Sequence, residues 1–157
     1  MDQAIRAALK SQYRAALETV RDAIQQCPDP LWEEAGSMPP FWQIAYHAVF
    51  YGHFYMRQNQ EAFHPWSRHR RSASSLDPDR GPAYTKAELL GYLADVLASV
   101  DATVDALDLA TAESGFPWYR MPKLDHEILS IRHIMAHAGQ LDAILRTHGL
   151  AGVEWHA

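Results

Sequence analysis

Cysteine and long apolar runs are the scarcest features of this sequence. Cys27 is its single cysteine, so an intramolecular disulfide and a zinc site of paired thiolates are both excluded. No apolar run reaches the roughly 18 residues of a membrane span, and the charged N-terminal segment does not fit a secretory signal. These absences predict a cytoplasmic protein without a membrane segment. Any metal site must use histidine or carboxylate ligands.

A dense face of lysine and arginine is also absent, and the formal net charge is -5. This charge balance argues against nucleic-acid binding, because phosphate recognition needs clustered basic side chains. The sequence shows no strand signals and no internal repeat. With 157 residues and 48% hydrophobic content, it predicts one domain over residues 1–157, whose core is large enough to be stable without disulfides.

Four segments carry apolar residues at steps of three and four, the spacing of amphipathic helices. They are approximately residues 2–26, 40–60, 85–109 and 125–148. Pro28 ends the first segment, Thr85 and Glu88 form a capping-box signature before the third, and Asp125 is the predicted N-cap of the fourth. Four helices without strands predict an all-α fold, a four-helix bundle of the up-and-down type.

A long connection, residues 61–84, joins the second and third helices. Loops of this length are uncommon in compact domains, and this one is expected to cover a pocket or to span the bundle. Its arginines Arg68, Arg70 and Arg71 could bind an anion, although a solvated charge run is the favoured interpretation. Candidates for a pocket mouth, or for ordinary packing under the loops, are Trp66, Trp118 and Tyr119.

Nine histidines are present, and two of them share a helix face. His133 and His137 are four residues apart, the spacing with which a helix presents two imidazoles to one metal ion. The pair lies among aliphatic residues, where burying two imidazoles costs free energy unless they find strong partners. The pair predicts part of a metal site. The alternative is two histidines that are exposed or hydrogen-bonded in the core.

His47 lies in the middle of the aromatic second helix and is the natural third ligand. It is about 9 Å beyond Phe41, while His133 and His137 are about 12 and 18 Å beyond Asp125. If the second and fourth helices run in the same direction, the three histidines lie at about the same level. The sequence therefore predicts His47, His133 and His137 as ligands of one metal ion.

Other polar residues could surround this site. Gln140 and His126 share a stripe with His133 at about 10 Å to either side. Gln140 is expected to bond a ligand or a metal-bound water, and His126 to line the cavity or to be partly exposed. Tyr51 is a further candidate for an orienting group, and His53 is interpreted as structural or superficial. The histidines interpreted as solvated are His64, His69, His148 and His156.

Three imidazoles with an open coordination position are typical of a catalytic metal, which acts as a Lewis acid or lowers the pKa of bound water. Imidazole suits zinc, nickel and iron. The metalloprotease motif H-E-x-x-H is absent, since Ile134 follows His133. The sequence therefore predicts one divalent transition metal and leaves its identity open.

The segments WQIAYHAVFYGHFYM and IRHIMAHAGQLDAILR resemble the ligand segments of the DinB/YfiT-like superfamily of metalloenzymes, and the resemblance extends over essentially the whole chain. It implies His47, His133 and His137 as ligands, a helical bundle, frequent homodimers, and zinc, nickel or iron as the metal. Ala136 stands where relatives often carry an additional histidine. Bacillithiol transferases and mycothiol-dependent isomerases are of this type, so the resemblance implies a low-molecular-weight thiol as a substrate.

Two hypotheses for the function follow. The first is a small metal-dependent enzyme, a thiol S-transferase or a hydrolase, that activates a thiol or water against a small electrophile. The second is a noncatalytic, stress-related helical-bundle protein that binds a metal or another ligand. A third interpretation, in which the histidines are packing residues, needs no metal at all.

Overall fold

The computed structural model describes residues 2–34, 36 and 38–156. All regular secondary structure in these residues is helical, which confirms the predicted all-α class. The helices are α1 (Asp2–Gln26), α2 (Asp29–Trp32), α3 (Phe41–Tyr55), α4 (Arg71–Ser74), α5 (Lys86–Ala106) and α6 (Lys123–Thr147). The four long helices α1, α3, α5 and α6 pack together as a helical bundle. The predicted domain bounds, residues 1 and 157, lie outside the described residues.

Two helix starts test the capping predictions. The capping box before α5 is confirmed, because Thr85 Oγ1 accepts from the Glu88 N–H at 3.2 Å and Glu88 Oε2 accepts from the Thr85 N–H at 2.8 Å. The predicted cap at Asp125 is wrong. Helix α6 begins two residues earlier, at Lys123, after the extended Pro122. A proline that precedes the first turn loses no helical hydrogen bond, so it starts the helix without a side-chain cap.

Helix α3 ends at Tyr55, earlier than the predicted residue 60. Beyond it, the carbonyl of Arg57 accepts a hydrogen bond from the buried Lys123 ammonium, and the Gln60 N–H donates to the Gly115 carbonyl at 3.3 Å. These backbone groups therefore bind the first residue of α6 and the loop that precedes it, instead of extending the helix. None of the described helices has the length and apolar character required to cross a membrane.

Helices α3 and α6 are antiparallel, which differs from the prediction of a common direction. The ring of His126, near the start of α6, lies 5.2 Å from that of Tyr55 at the end of α3. The ring of His137, further along α6, lies 4.4 Å from that of His47 in the first half of α3. The three histidines still meet because they are close to the middle of their helices.

Helices α3 and α5 run in the same direction. Tyr46, early in α3, packs on Tyr84 just before α5 with 4.7 Å between ring centroids. Arg57, just after α3, donates to Thr103 Oγ1 late in α5 at 3.2 Å. The predicted up-and-down alternation is therefore wrong for this consecutive pair. Two parallel neighbours need a connection that returns along the bundle, which explains the long segment between them.

Residues 56–85, which connect α3 to α5 and are called the returning segment below, are packed onto the bundle. Trp66 stacks on Tyr92 at 4.8 Å with a 6° interplanar angle, which supports its interpretation as a packing residue. The buried Gln43 side chain donates to the Asp77 carbonyl at 3.0 Å. The first contact holds the segment against α5, and the second holds the residues around the short helix α4 against α3.

A glycine brings α3 and α6 close together at the level of the histidines. A Cβ atom at Gly52 would lie 2.9 Å from Cδ1 of Ile134, the residue after His133. Any larger residue would force the fully buried Ile134 side chain or one of the two helices to shift. The apolar core therefore sets the spacing between the helices that carry the histidines.

Candidate metal centre

Three histidines from two helices converge in the bundle. The Nε2 atom of His133 lies 3.2 Å from Nε2 of His47 and 3.2 Å from Nε2 of His137. One ring nitrogen from each residue falls within 4.8 Å of the other two, and each side chain is partly buried. The part of the chain that the structure describes contains no other group of three His, Cys, Asp or Glu side chains with this geometry. The structure thus brings together the three residues that the sequence singles out.

The Nδ1 atoms are the outer ring nitrogens, because they are not the atoms that converge. Two of the three are held by hydrogen bonds. The Nδ1–H of His47 donates to the carbonyl oxygen of Ser74 at 2.5 Å, and that of His137 donates to Oε1 of Gln140 at 2.7 Å. A proton on Nδ1 leaves the Nε2 lone pair free, and these bonds fix the ring orientation. His133 differs, since its Nδ1 is buried and has no partner among the described residues. At least two lone pairs therefore point at the shared centre.

The environment keeps the imidazoles neutral. Burial, followed by repulsion from His137, lowers the pKa of His47 to about 3. Burial and His137 also lower the pKa of His133 to about 4, and burial lowers the pKa of His137 below its ordinary range. Because only neutral imidazole can bind a metal, all three histidines are ready to bind one at neutral pH without first losing a proton.

The donor set fits a transition metal. Zinc–nitrogen bonds of about 2.0–2.1 Å in tetrahedral geometry place neighbouring nitrogens roughly 3.3 Å apart. The two Nε2–Nε2 distances of 3.2 Å match this spacing. Three imidazoles and no carboxylate or thiolate leave a fourth position for an external ligand. Such an arrangement is typical of a catalytic site and differs from a closed structural zinc site.

Tyr51 covers the histidines. Its ring centroid lies 4.6 Å from that of His47 and 5.5 Å from that of His133. Burial and the neighbouring Tyr119 raise the pKa of Tyr51, while Arg71 acts in the opposite direction. The hydroxyl therefore stays protonated at neutral pH and can donate a hydrogen bond to a bound molecule.

His126 lies apart from the three histidines. The Tyr55 ring lies between them, 5.2 Å from the His126 ring and 6.0 Å from the His133 ring. His126 is fully buried against Phe116, so the predicted partial exposure is wrong. Both of its ring nitrogens lack hydrogen-bond partners among the described residues.

The remaining histidines fall into structural and exposed groups. His53 is structural, since it bonds Tyr92 Oη at 2.9 Å. The prediction that His69 is solvated is wrong, because its ring bonds Tyr46 Oη at 2.8 Å and stacks on Phe50. The returning segment packs on α3, and this packing partly buries His69. His156 is also anchored, 2.5 Å from an Asp22 carboxylate oxygen. The exposed histidines are His64 and His148.

Two features of the structure have no clear signal in the sequence. The Ser74 carbonyl that holds His47 is a backbone group from the long connection, and side-chain patterns do not reveal backbone acceptors. The fully buried pair of Lys123 Nζ and Glu127 Oε1, 2.8 Å apart, has the i, i+4 spacing of an ordinary surface pair. Tyr13 Oη donates to Glu127 Oε2 at 2.6 Å, which completes a buried polar network.

Comparison with protein families gives a match over residues 6–141 to the model of the DinB superfamily. The chain belongs to the DinB superfamily. The matched region contains α3 and most of α6, including His47, His133 and His137. The resemblance drawn from the two histidine-bearing segments is thereby confirmed for the family. No curated protein matches this DinB chain.

Proposed function

We propose that this DinB protein is a metal-dependent enzyme that uses His47, His133 and His137 as the ligands of one divalent transition metal. The observation that carries the proposal is the spacing of 3.2 Å from the His133 Nε2 to the Nε2 atoms of both other histidines. A cluster of three partly buried imidazoles without a metal would cost desolvation free energy with little return. A shared metal ion gives the three lone pairs a common partner.

Zinc, nickel and iron are the candidate metals, since each accepts imidazole ligands. When bound, such a metal lowers the pKa of a coordinated thiol or water. The protein groups around it have separate roles: the Ser74 carbonyl and Gln140 orient His47 and His137, and Tyr51 covers the site and offers a hydroxyl donor.

We propose thiol S-transfer to a small electrophile as the reaction, with hydrolysis as the variant in which water replaces the thiol. The thiol loses its proton to solvent, its sulfur forms a bond to an electrophilic carbon, and the displaced group leaves with the electron pair of the broken bond. No carboxylate is found in the histidine cluster, so no side-chain base is assigned to the proton.

Metal analysis of protein purified without a His tag tests the ligand set. We expect about one equivalent of metal in the wild type and a loss of at least half of it in His47→Ala and His137→Ala. His64→Ala is the matched control, because His64 is an exposed histidine of the returning segment. Less than about half an equivalent in the wild type, unchanged in His137→Ala, would contradict the metal site.

A screen of thiols with chromogenic electrophiles tests catalysis on the metal-loaded protein. We expect turnover in the wild type and in His64→Ala, and at least a tenfold lower rate in His47→Ala. A protein that binds metal through these histidines but shows equal rates in wild type and His47→Ala would support the noncatalytic binding function instead.

A further inference from the structure

Polar atoms without partners line one buried stripe of α6. Ser130 Oγ, Nδ1 of His133 and both ring nitrogens of His126 are buried and have no hydrogen-bond partner within the described residues. The three residues share a stripe, because steps of four and then three residues stay within about 60° of rotation around a helix. Leaving a buried polar atom unbonded costs free energy of folding, and most such atoms in native proteins bond ordered water or another ligand.

Ser130 differs from other hydroxyl residues in the helices of this protein. Such hydroxyls usually bond a carbonyl three or four residues back. Thr19 bonds the Ala15 carbonyl in this way at 2.8 Å, and Ser99 bonds that of Val96 at the same distance. Ser130 is only 1% exposed, yet it makes no such bond in the described part of the chain. Its donor and its acceptor positions are therefore both available to a bound molecule.

The separations along the stripe suit a bridging molecule. Ser130 and His133 are three residues apart on a helix, which places their Cβ atoms about 5–6 Å from each other. One turn earlier, Nδ1 of His126 lies 3.7 Å from Oε1 of Glu127, and this distance is longer than a direct hydrogen bond. Polar groups at such separations are commonly joined by one water molecule that bonds both.

The charges beside the stripe favour a neutral molecule. Lys123 Nζ lies 2.8 Å from Oε1 of Glu127, and both side chains are fully buried. A further ion would bring an unpaired charge into the core, next to a pair whose charges already compensate each other. Tyr13 Oη already donates to Oε2 of the same carboxylate at 2.6 Å. Water both donates and accepts, so it suits a hydroxyl, an imidazole and a carboxylate together.

We propose that internal water occupies this stripe and that the water held by Ser130 accepts the Nδ1–H of His133, which makes Ser130 a positioning residue for that ligand. The inference rests on the proposed metal site, because it assigns a partner to the outer nitrogen of its third histidine. The Ser74 carbonyl and Gln140 hold the outer nitrogens of the other two. With the water in place, all three rings carry their proton on Nδ1 and direct the Nε2 lone pair to the shared centre. Ser130 acts on the metal only through His133.

Nitrogen-15 NMR of the full-length protein, as purified and labelled on its histidine rings, tests the water directly. We expect the Nδ1–H of His133 to be protected from exchange and to show a nuclear Overhauser effect to a long-resident water. In Ser130→Ala this proton should exchange faster and lose the effect. Ser130→Thr and Ser130→Val form a shape-matched pair, in which only the threonine keeps a hydroxyl. The threonine variant should retain the water signal, and the valine variant should lose it.

Metal affinity tests the positioning role. Competition with a chromogenic chelator should show about tenfold weaker Zn²⁺ binding in Ser130→Ala and Ser130→Val, and less than about a threefold change in Ser130→Thr. Thr19→Val is the matched control, because it removes a buried hydroxyl that bonds only a carbonyl of its own helix. This control should bind Zn²⁺ as tightly as the wild type.

The results distinguish this inference from the proposed function. Wild-type affinity for Zn²⁺ in both Ser130→Ala and Ser130→Val would overturn the positioning role and leave the metal site intact. A His133 Nδ1–H that shows no contact with water in the wild type would overturn the internal water. A wild type that binds no Zn²⁺ would overturn the proposed function, and the positioning role of Ser130 with it.

Discussion

The three histidines differ in how their outer nitrogens are held. A backbone carbonyl orients His47, and an exposed side chain, Gln140, orients His137. Groups that bond the outer nitrogen of a metal-ligating histidine fix its ring and strengthen it as a ligand. Gln140 is therefore the one orienting group that can be changed by mutation without disturbing the backbone.

Gln140→Leu should weaken metal binding about tenfold, because His137 loses the acceptor that fixes its ring. Gln140→Glu retains an acceptor at the same position and should keep most of the affinity. Competition with a chromogenic chelator measures both constants. Equal affinities in wild type and Gln140→Leu would show that the Gln140 contact does not orient the ligand.

Buried neutral histidines predict a loss of stability in acid. The pKa of His47 is lowered to about 3 and those of His53 and His133 to about 4, from an ordinary value of 6.5. Between these values the unfolded chain binds more protons than the folded one. The stability of the metal-free protein is therefore complete above about pH 6.5 and falls as the pH decreases towards 4.

Urea unfolding of chelator-treated protein at pH 7.5 and pH 5.0 measures this loss. We expect it to be on the order of 1 kcal/mol per buried histidine. His53→Gln removes one of these groups away from the metal cluster and should reduce the difference between the two pH values. A difference as large as in the wild type would contradict the assignment for His53.

The buried pair of Lys123 and Glu127 is a further test at the residue scale. Both side chains are fully buried 2.8 Å apart, and Tyr13 also bonds the carboxylate. Lys123→Met should destabilise the protein by about 3–5 kcal/mol, because it leaves an unpaired buried carboxylate. The double variant Lys123→Met/Glu127→Leu should recover part of that loss in urea unfolding. Additive effects of the two single substitutions would show that the pair is not coupled.

Among the elements, the returning segment between α3 and α5 has the closest link to function. It supplies the Ser74 carbonyl at the histidine cluster, and Arg70 fixes it through contacts with Tyr84, Arg80 and Pro82. Its attachment to α3 therefore determines whether His47 is held in position. A substitution that loosens the returning segment should therefore also weaken metal binding.

Arg70→Met tests that link. We expect a destabilisation of about 1–3 kcal/mol from the lost charge-assisted hydrogen bonds, together with weaker metal binding. Hydrogen exchange should increase within residues 70–85 more than in α1. Arg68→Met is the control, since Arg68 has only an exposed ion pair with Glu88, and pairs of this kind contribute little. Unchanged exchange in Arg70→Met would contradict the role of Arg70 as an anchor.

At the scale of the whole molecule, the homodimer implied by the family resemblance stays a prediction. Helix α6 exposes Ile128, with 48% of its surface accessible in the single chain. If α6 contributes to a dimer, Ile128→Glu should yield monomers in light scattering coupled to size exclusion. Trp155→Glu, at the exposed C-terminal segment, should not change the mass. A wild type with the mass of one chain would contradict the dimer.

The sequence by itself determined the helices and the choice of histidines. Apolar spacing located α1, α3, α5 and α6, because burial on one face of a helix leaves a periodic signal in the chain. The i, i+4 spacing of His133 and His137 and the position of His47 among aromatic residues selected these three from nine histidines, together with the resemblance to the DinB/YfiT-like superfamily.

Only the tertiary structure decided how these elements are arranged. Helix direction depends on contacts between distant segments, so the antiparallel packing of α3 and α6 and the common direction of α3 and α5 left no local signal. The Ser74 carbonyl and the buried Lys123 were equally hidden, because a backbone acceptor has no sequence code and a buried ion pair has the same spacing as an exposed one.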